Sequence, residues 1–90
     1  MTRYRVEFVK SAKKEFDALP ARVQDRVIEA LAILAQNPYS EILQVRKLHG
    51  GLDLFRIRLG DYRVVYEIRK AVLLILVIKI GHRKDVYRGF

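Results

Sequence analysis

The stretch LFRIRLGDYRVVYEI, Leu54–Ile68, decides the fold. Its side chains alternate in polarity on both sides of Gly60-Asp61, a pair suited to a two-residue hairpin turn with glycine first. In that register Leu59 faces Tyr62 and Arg58 faces Arg63. One sheet face then collects Phe55, Ile57, Leu59, Tyr62, Val64, Tyr66 and Ile68, an apolar set that belongs in a core. The other collects Leu54, Arg56, Arg58, Arg63, Val65 and Glu67. A bulge would shift the pairing between strands but not the alternation within each.

Outward from the hairpin, Arg69-Lys70-Ala71 turns the chain into Val72–Ile80, an apolar run on both faces that predicts a central strand. Upstream, Tyr4–Phe8 alternates as a first strand. Ser11 is placed to N-cap a short helix with Ala12, Phe16 and Leu19 on one side. Pro20 breaks that helix or starts the next. Val23, Val27, Ala30, Leu31 and Leu34 form the stripe of a second helix packed on a sheet. Asn37-Pro38 stops it, Tyr39–Gln44 reads as loop, and a short strand at Val45–Leu48 leads into His49-Gly50-Gly51. The predicted architecture is α+β. A small, mainly antiparallel sheet in the order β-α-α-β-β-β carries a two-helix hairpin on one face and ends in a short C-terminal helical stub. Residues 1–90 are expected to form one domain.

At 90 residues and 51% hydrophobic content, about 60% of the unfolded chain's surface can be buried. There is no cysteine, and His49 and His82 are the only histidines. That is too few for a zinc site without unusual carboxylate help, so neither metal nor cofactor is expected. The opening MTRYRVEF reads as strand rather than signal peptide. The longest apolar run is far short of the roughly 20 residues a membrane helix needs. These readings predict a cytoplasmic protein with no membrane partner. A net charge of +8 and a pI near 10.1 point to nucleic acid, or to an acidic protein that masks the same surface.

Arg58 and Arg63, directly opposite, repel by a few tenths of a kcal/mol up to about 1, and Arg56 stands two residues away. One reading lets them splay into solvent with Glu67 as partial counterion. The other is an anion site, since guanidiniums grip phosphate bidentately. Lys79, Gly81 and Arg83 share one parity of the last strand, where polarity enters an apolar run. Gly81 leaves room for a substrate group. Tyr87 follows Arg83 by one helical turn if Lys84–Arg88 coils. Arg56, Arg58, Arg63, Arg83 and Tyr87 therefore form the candidate catalytic set, with Arg63 and Arg83 expected on the solvent side. Lys79, Lys84 and Arg88 are candidate RNA contacts. His82, of opposite parity, reads as a core-side residue or a reserve acid/base. His49 reads as a loop residue.

In FRIRLGDYRVVYEI and VIKIGHRKDVYR the chain resembles the RelE toxins of toxin–antitoxin pairs, within the RelE/ParE superfamily. The GHRKDVY block is the more diagnostic of the RelE branch. The resemblance runs from the YRVEF strand through nearly the whole chain. It implies an mRNA endoribonuclease (mRNA interferase) that acts in the ribosomal A site and is neutralised by a cognate, RelB-like acidic antitoxin. The family's basic hairpin residues match Arg56 and Arg58, its arginine after the turn Arg63, its arginine after the last strand Arg83 and its tyrosine Tyr87. Well-known members carry lysine at the first two positions. Arginine effectively never deprotonates, so the resemblance carries no general base to Arg56 or Arg58. The implied chemistry is metal-independent attack of the RNA 2′-hydroxyl on the adjacent phosphate. The alternatives are a ParE-like DNA gyrase inhibitor on the same fold and an RNA-binding module without catalysis.

Overall fold

A computed structural model describes residues 3–48 and 53–82. The elements run β1 (Arg5–Phe8), α1 (Lys10–Asp17), α2 (Ala21–Gln36), β2 (Arg46–Lys47), β3 (Leu54–Leu59), β4 (Tyr62–Arg69) and β5 (Leu74–His82), with a 3₁₀ turn at Lys70–Val72. The sheet is five-stranded, in the order β1-β5-β4-β3-β2. Only β1 pairs in parallel, against β5, and the other pairs are antiparallel. The two-residue β2 lies within the short strand expected at Val45–Leu48 and makes the sheet five-stranded. His49 and the 84–88 stub fall outside the described residues.

The central hairpin has the predicted register, with Leu59 opposite Tyr62 and Arg58 opposite Arg63. Of the two turn residues only Gly60 has a positive φ, +64°. This is the type II′ geometry, whose twist matches the flanking strands and which costs glycine nothing.

Phe55, Ile57, Leu59, Val64, Tyr66 and Ile68 are all buried and meet Val23, Val27, Ala30, Leu31 and Leu34 of α2 in one core. Ile75, Val77 and Ile80 of β5 complete it. The core face of the hairpin and the α2 stripe are therefore as the sequence predicts. Tyr66 is fully buried. Its hydroxyl donates to Pro38 O at 2.9 Å, and its ring stacks on Phe55 at 6.0 Å. Burial pushes the Tyr66 phenol up, with Tyr39 adding to the effect, so it remains a donor at any physiological pH. Tyr66→Phe strips the Pro38 carbonyl of this donor and is expected to cost about 1–2 kcal/mol. Urea denaturation tests this: the midpoint falls while the m-value holds. An unchanged midpoint would mean the bond adds nothing.

Two local expectations are corrected, at Ser11 and at the start of β5. Ser11 does not cap α1: Val9 is the N-cap, with extended dihedrals and no side-chain bond. The chain leaves β1 directly into the helix, and Ser11 already lies in its first turn. Pro20 starts the next helix as expected, as the N-cap of α2, where its missing N–H costs no bond. β5 starts at Leu74 instead of Val72, because Lys70–Val72 forms the 3₁₀ turn and Leu73 takes a left-handed φ of 51°. Val72 and Leu73 are consequently exposed.

β5 also carries a bulge. Val65 pairs with Lys79 but Tyr66 pairs with Val77, so Ile78 has no partner of its own. Past Val77, where β1 ends, α1 takes over the edge of β5. Glu15 of α1 accepts from Ile80 N at 3.0 Å, a donor that β1 no longer reaches.

Candidate nucleic-acid interface

Strand pairing places side chains of paired residues on one side of the sheet, with Cβ atoms about 4.5–5.5 Å apart. On the face away from the core this builds two rows. The first is Arg58, Arg63, Gly81; the second is Arg46, Arg56, Val65, Lys79. Five cations thus share a patch only four strands wide. Repulsion between them makes the arrangement unfavourable for stability alone, and a polyanion reverses the sign.

The side chains differ in how they are held. Arg63 is 8% exposed, although its sequence parity suggests the solvent side. Its Nη1 donates to Gly60 O at 3.0 Å and to Tyr62 O at 3.1 Å. The hairpin turn therefore fixes the guanidinium plane while Nε and Nη2 remain for a ligand. Across from it, Gly81 leaves the third place of the row without a side chain. Arg58 is exposed, and Arg56 is half-buried. Arg56 Nη1 is buried and has no hydrogen-bond partner among the described residues. A buried, charged donor without an acceptor is costly.

Lys79 faces this patch but is engaged: its Nζ lies 3.1 Å from Glu15 Oε2, at about 30% side-chain exposure for both. Glu67, considered as a counterion for the arginines, instead accepts from Arg69 at 3.2 Å. His82 lies on the core side, opposite Tyr62. The two rings meet edge to face with centroids 6.0 Å apart. The sheet thus separates His82 from Arg56, Arg58 and Arg63. Arg83, Lys84, Tyr87 and Arg88 lie outside the described residues.

Arg46 escaped the sequence reading. The short strand around it was legible, but its pairing partner was not. The usable signal was its antiparallel relation to Leu54–Leu59, which sets Arg46 opposite Arg56. Nothing in the sequence marks Glu15 as the partner of Lys79, 64 residues away.

The model of the family described as the ParE toxin of the type II toxin–antitoxin system parDE matches residues 3–87. Toxin RelG of Mycobacterium tuberculosis is 30% identical over 86 residues, covering 94% of this chain and 97% of that relative. The mRNA interferase toxin RelE of Escherichia coli K12 is 28% identical over 88 residues, covering 93% and 90%. Among solved structures, the archaeal RelE–RelB complex from Pyrococcus horikoshii superposes with a TM-score of 0.81 at 38% identity, covering 96% of this chain and all of that one.

Proposed function

Because the chain belongs to the ParE toxin family of type II toxin–antitoxin systems, we propose that it is a RelE-like endoribonuclease that cuts mRNA on the ribosome. The observation that carries this reading is the arginine face, where a turn-fixed Arg63 stands between Arg58 and the side-chain-free Gly81. A phosphodiester over that row meets, in Arg63, a guanidinium held in place before it arrives, which is how charge developing in a transition state is best stabilised.

The reaction is a transesterification. The 2′-oxygen loses its proton and bonds to phosphorus, the bond from phosphorus to the 5′-oxygen breaks, and the leaving oxygen gains a proton. The products are a 2′,3′-cyclic phosphate and a 5′-hydroxyl. Arg56, Arg58 and Arg63 hold the non-bridging oxygens. Arg83 stands near the leaving oxygen, and Tyr87 stacks on a base or moves a proton. Lys84 and Arg88 extend the RNA contact. Lys79 contributes field with its charge partly offset by Glu15, and His82 is a base in reserve.

A +8 chain that cuts messages must be stored masked. The partner is an acidic, RelB-like antitoxin that orders on binding and covers part of the arginine face. The superposition on a RelE–RelB complex supports this. The site of action is the cytoplasm, and no described helix is long and apolar enough to cross a membrane.

The test is induction in cells followed by mapping of message ends. Growth arrest with new 5′-hydroxyl ends inside translated frames is expected, and co-expression of the antitoxin restores growth. The ParE name on the family model makes gyrase inhibition the second reading. Loss of supercoiling by purified gyrase, with messages intact, would establish that reading and remove the first.

A further inference from the structure

We propose that the cleft between the hairpin tip and the first turns of α2 is a second contact for RNA, gripping the backbone of the single strand as it runs off the arginine face; this rests on the ribonuclease reading above. The cleft has a volume of about 220 Å³ and is lined by Arg22, Arg26, Gly60, Asp61 and Tyr62, among others. That is room for a phosphate with several waters, at about 30 Å³ each. The edge-to-face pair of Tyr62 and His82 stands beside it, half-buried, with ring surface for a base.

The hairpin tip joins the two faces. Arg63 Nη1 donates to Gly60 O from the arginine side. On the helix side Arg26 lies against the same turn, with its Nη1 3.4 Å from where a Cβ on Gly60 would sit. Guanidiniums therefore flank both sides of a two-residue turn. A strand that leaves Arg58 and Arg63 crosses only that turn before meeting Arg26 and then Arg22.

The cations are also badly placed for stability. Arg22 and Arg26 lie one turn apart on one face of α2, a like-charge spacing that destabilises a helix. Arg22 lies in the first turn, where no acidic residue stands and the helix dipole disfavours positive charge; Asp25 and Glu29 follow three residues after Arg22 and Arg26. Neither makes an ion pair among the described residues. Asp61, the carboxylate in the lining, bonds to neither. An RNA phosphate supplies the counterion that neither arginine has among the described residues.

The test measures binding of uncleavable 2′-O-methyl RNA oligonucleotides by the full chain, wild type and Arg22→Gln/Arg26→Gln, across a salt series. A short oligonucleotide that spans only the arginine face is expected to bind both proteins equally. A longer one is expected to bind the variant about tenfold more weakly. Its salt slope should be shallower by about 1.4, or about 0.7 for each of two phosphates that the variant no longer neutralises. The variant is expected to melt no lower than wild type, since it removes repulsion and no bond. Equal affinity and slope for the longer RNA overturns the proposal and leaves the ribonuclease reading standing. A lower melting temperature overturns it too, by making the arginines structural. Loss of antitoxin binding with RNA binding unchanged would assign the cleft to protein instead. Because the RNA cannot be cut, these outcomes are separate from any failure of catalysis.

Discussion

Arg58→Ala is expected to lower single-turnover cleavage by up to about 10²–10³, the loss when a donor to the transition state is removed, while leaving the protein as stable as before or slightly more so. The two effects have opposite signs because Arg58 is exposed and stands in register with Arg63. In the absence of RNA it contributes repulsion, which its removal relieves by a few tenths of a kcal/mol up to about 1. Arg63→Ala is expected to cost as much activity but also to destabilise, since Gly60 O and Tyr62 O both lose their donor. Measuring cleavage and thermal unfolding for both variants separates a binding residue from one that also builds the turn. If Arg58→Ala cuts like wild type, the phosphate is held elsewhere.

A message held on the ribosome is expected to be cut at least about 10³-fold faster than the same RNA free in solution. Attack by a 2′-hydroxyl calls for a base near the operating pH and a matching acid. Arg56, Arg58 and Arg63 do not deprotonate, and Lys79 is paired with Glu15. His82, the described imidazole, lies on the other side of the sheet. The described part of the candidate site therefore offers charge stabilisation and little proton transfer. Fast cleavage then needs in-line geometry imposed from outside, and positioning is worth roughly 7–11 kcal/mol. Single-turnover rates on one message, free and ribosome-bound, with the same enzyme preparation, decide the point. Equal rates would sink the idea and return attention to Tyr87 and His82 as proton carriers.

The site was partly legible in the sequence for a physical reason. A two-residue hairpin leaves no freedom of register, so Gly60-Asp61 alone sets Arg58 beside Arg63 and puts Arg56 on the same side. Burial is different, because it depends on what covers a side chain and which acceptors it reaches. Parity put Arg63 on the second face correctly but could not show that the turn carbonyls would draw it in. Parity also says nothing of a partner 64 residues away, which is how Glu15 went unseen beside Lys79.

What the sequence determined by itself is local: the central hairpin, the α2 stripe and the apolar character of the last strand. Each is written in periodicity or in turn chemistry within a few residues. What the tertiary structure alone decided is which way the last strand points its polar residues. Strict alternation from Ile75 and Val77, both buried in the core, would drive Lys79 into the core as well. Burying that ammonium without a partner would cost several kcal/mol. The bulge at Ile78 inserts one residue into the pairing and so reverses parity. Ile80 returns to the core, while Lys79 and Gly81 join the arginines. No pattern within Leu74–His82 marks that residue. The choice is made by the core on one side of the strand and Glu15 at its edge, acting on it together.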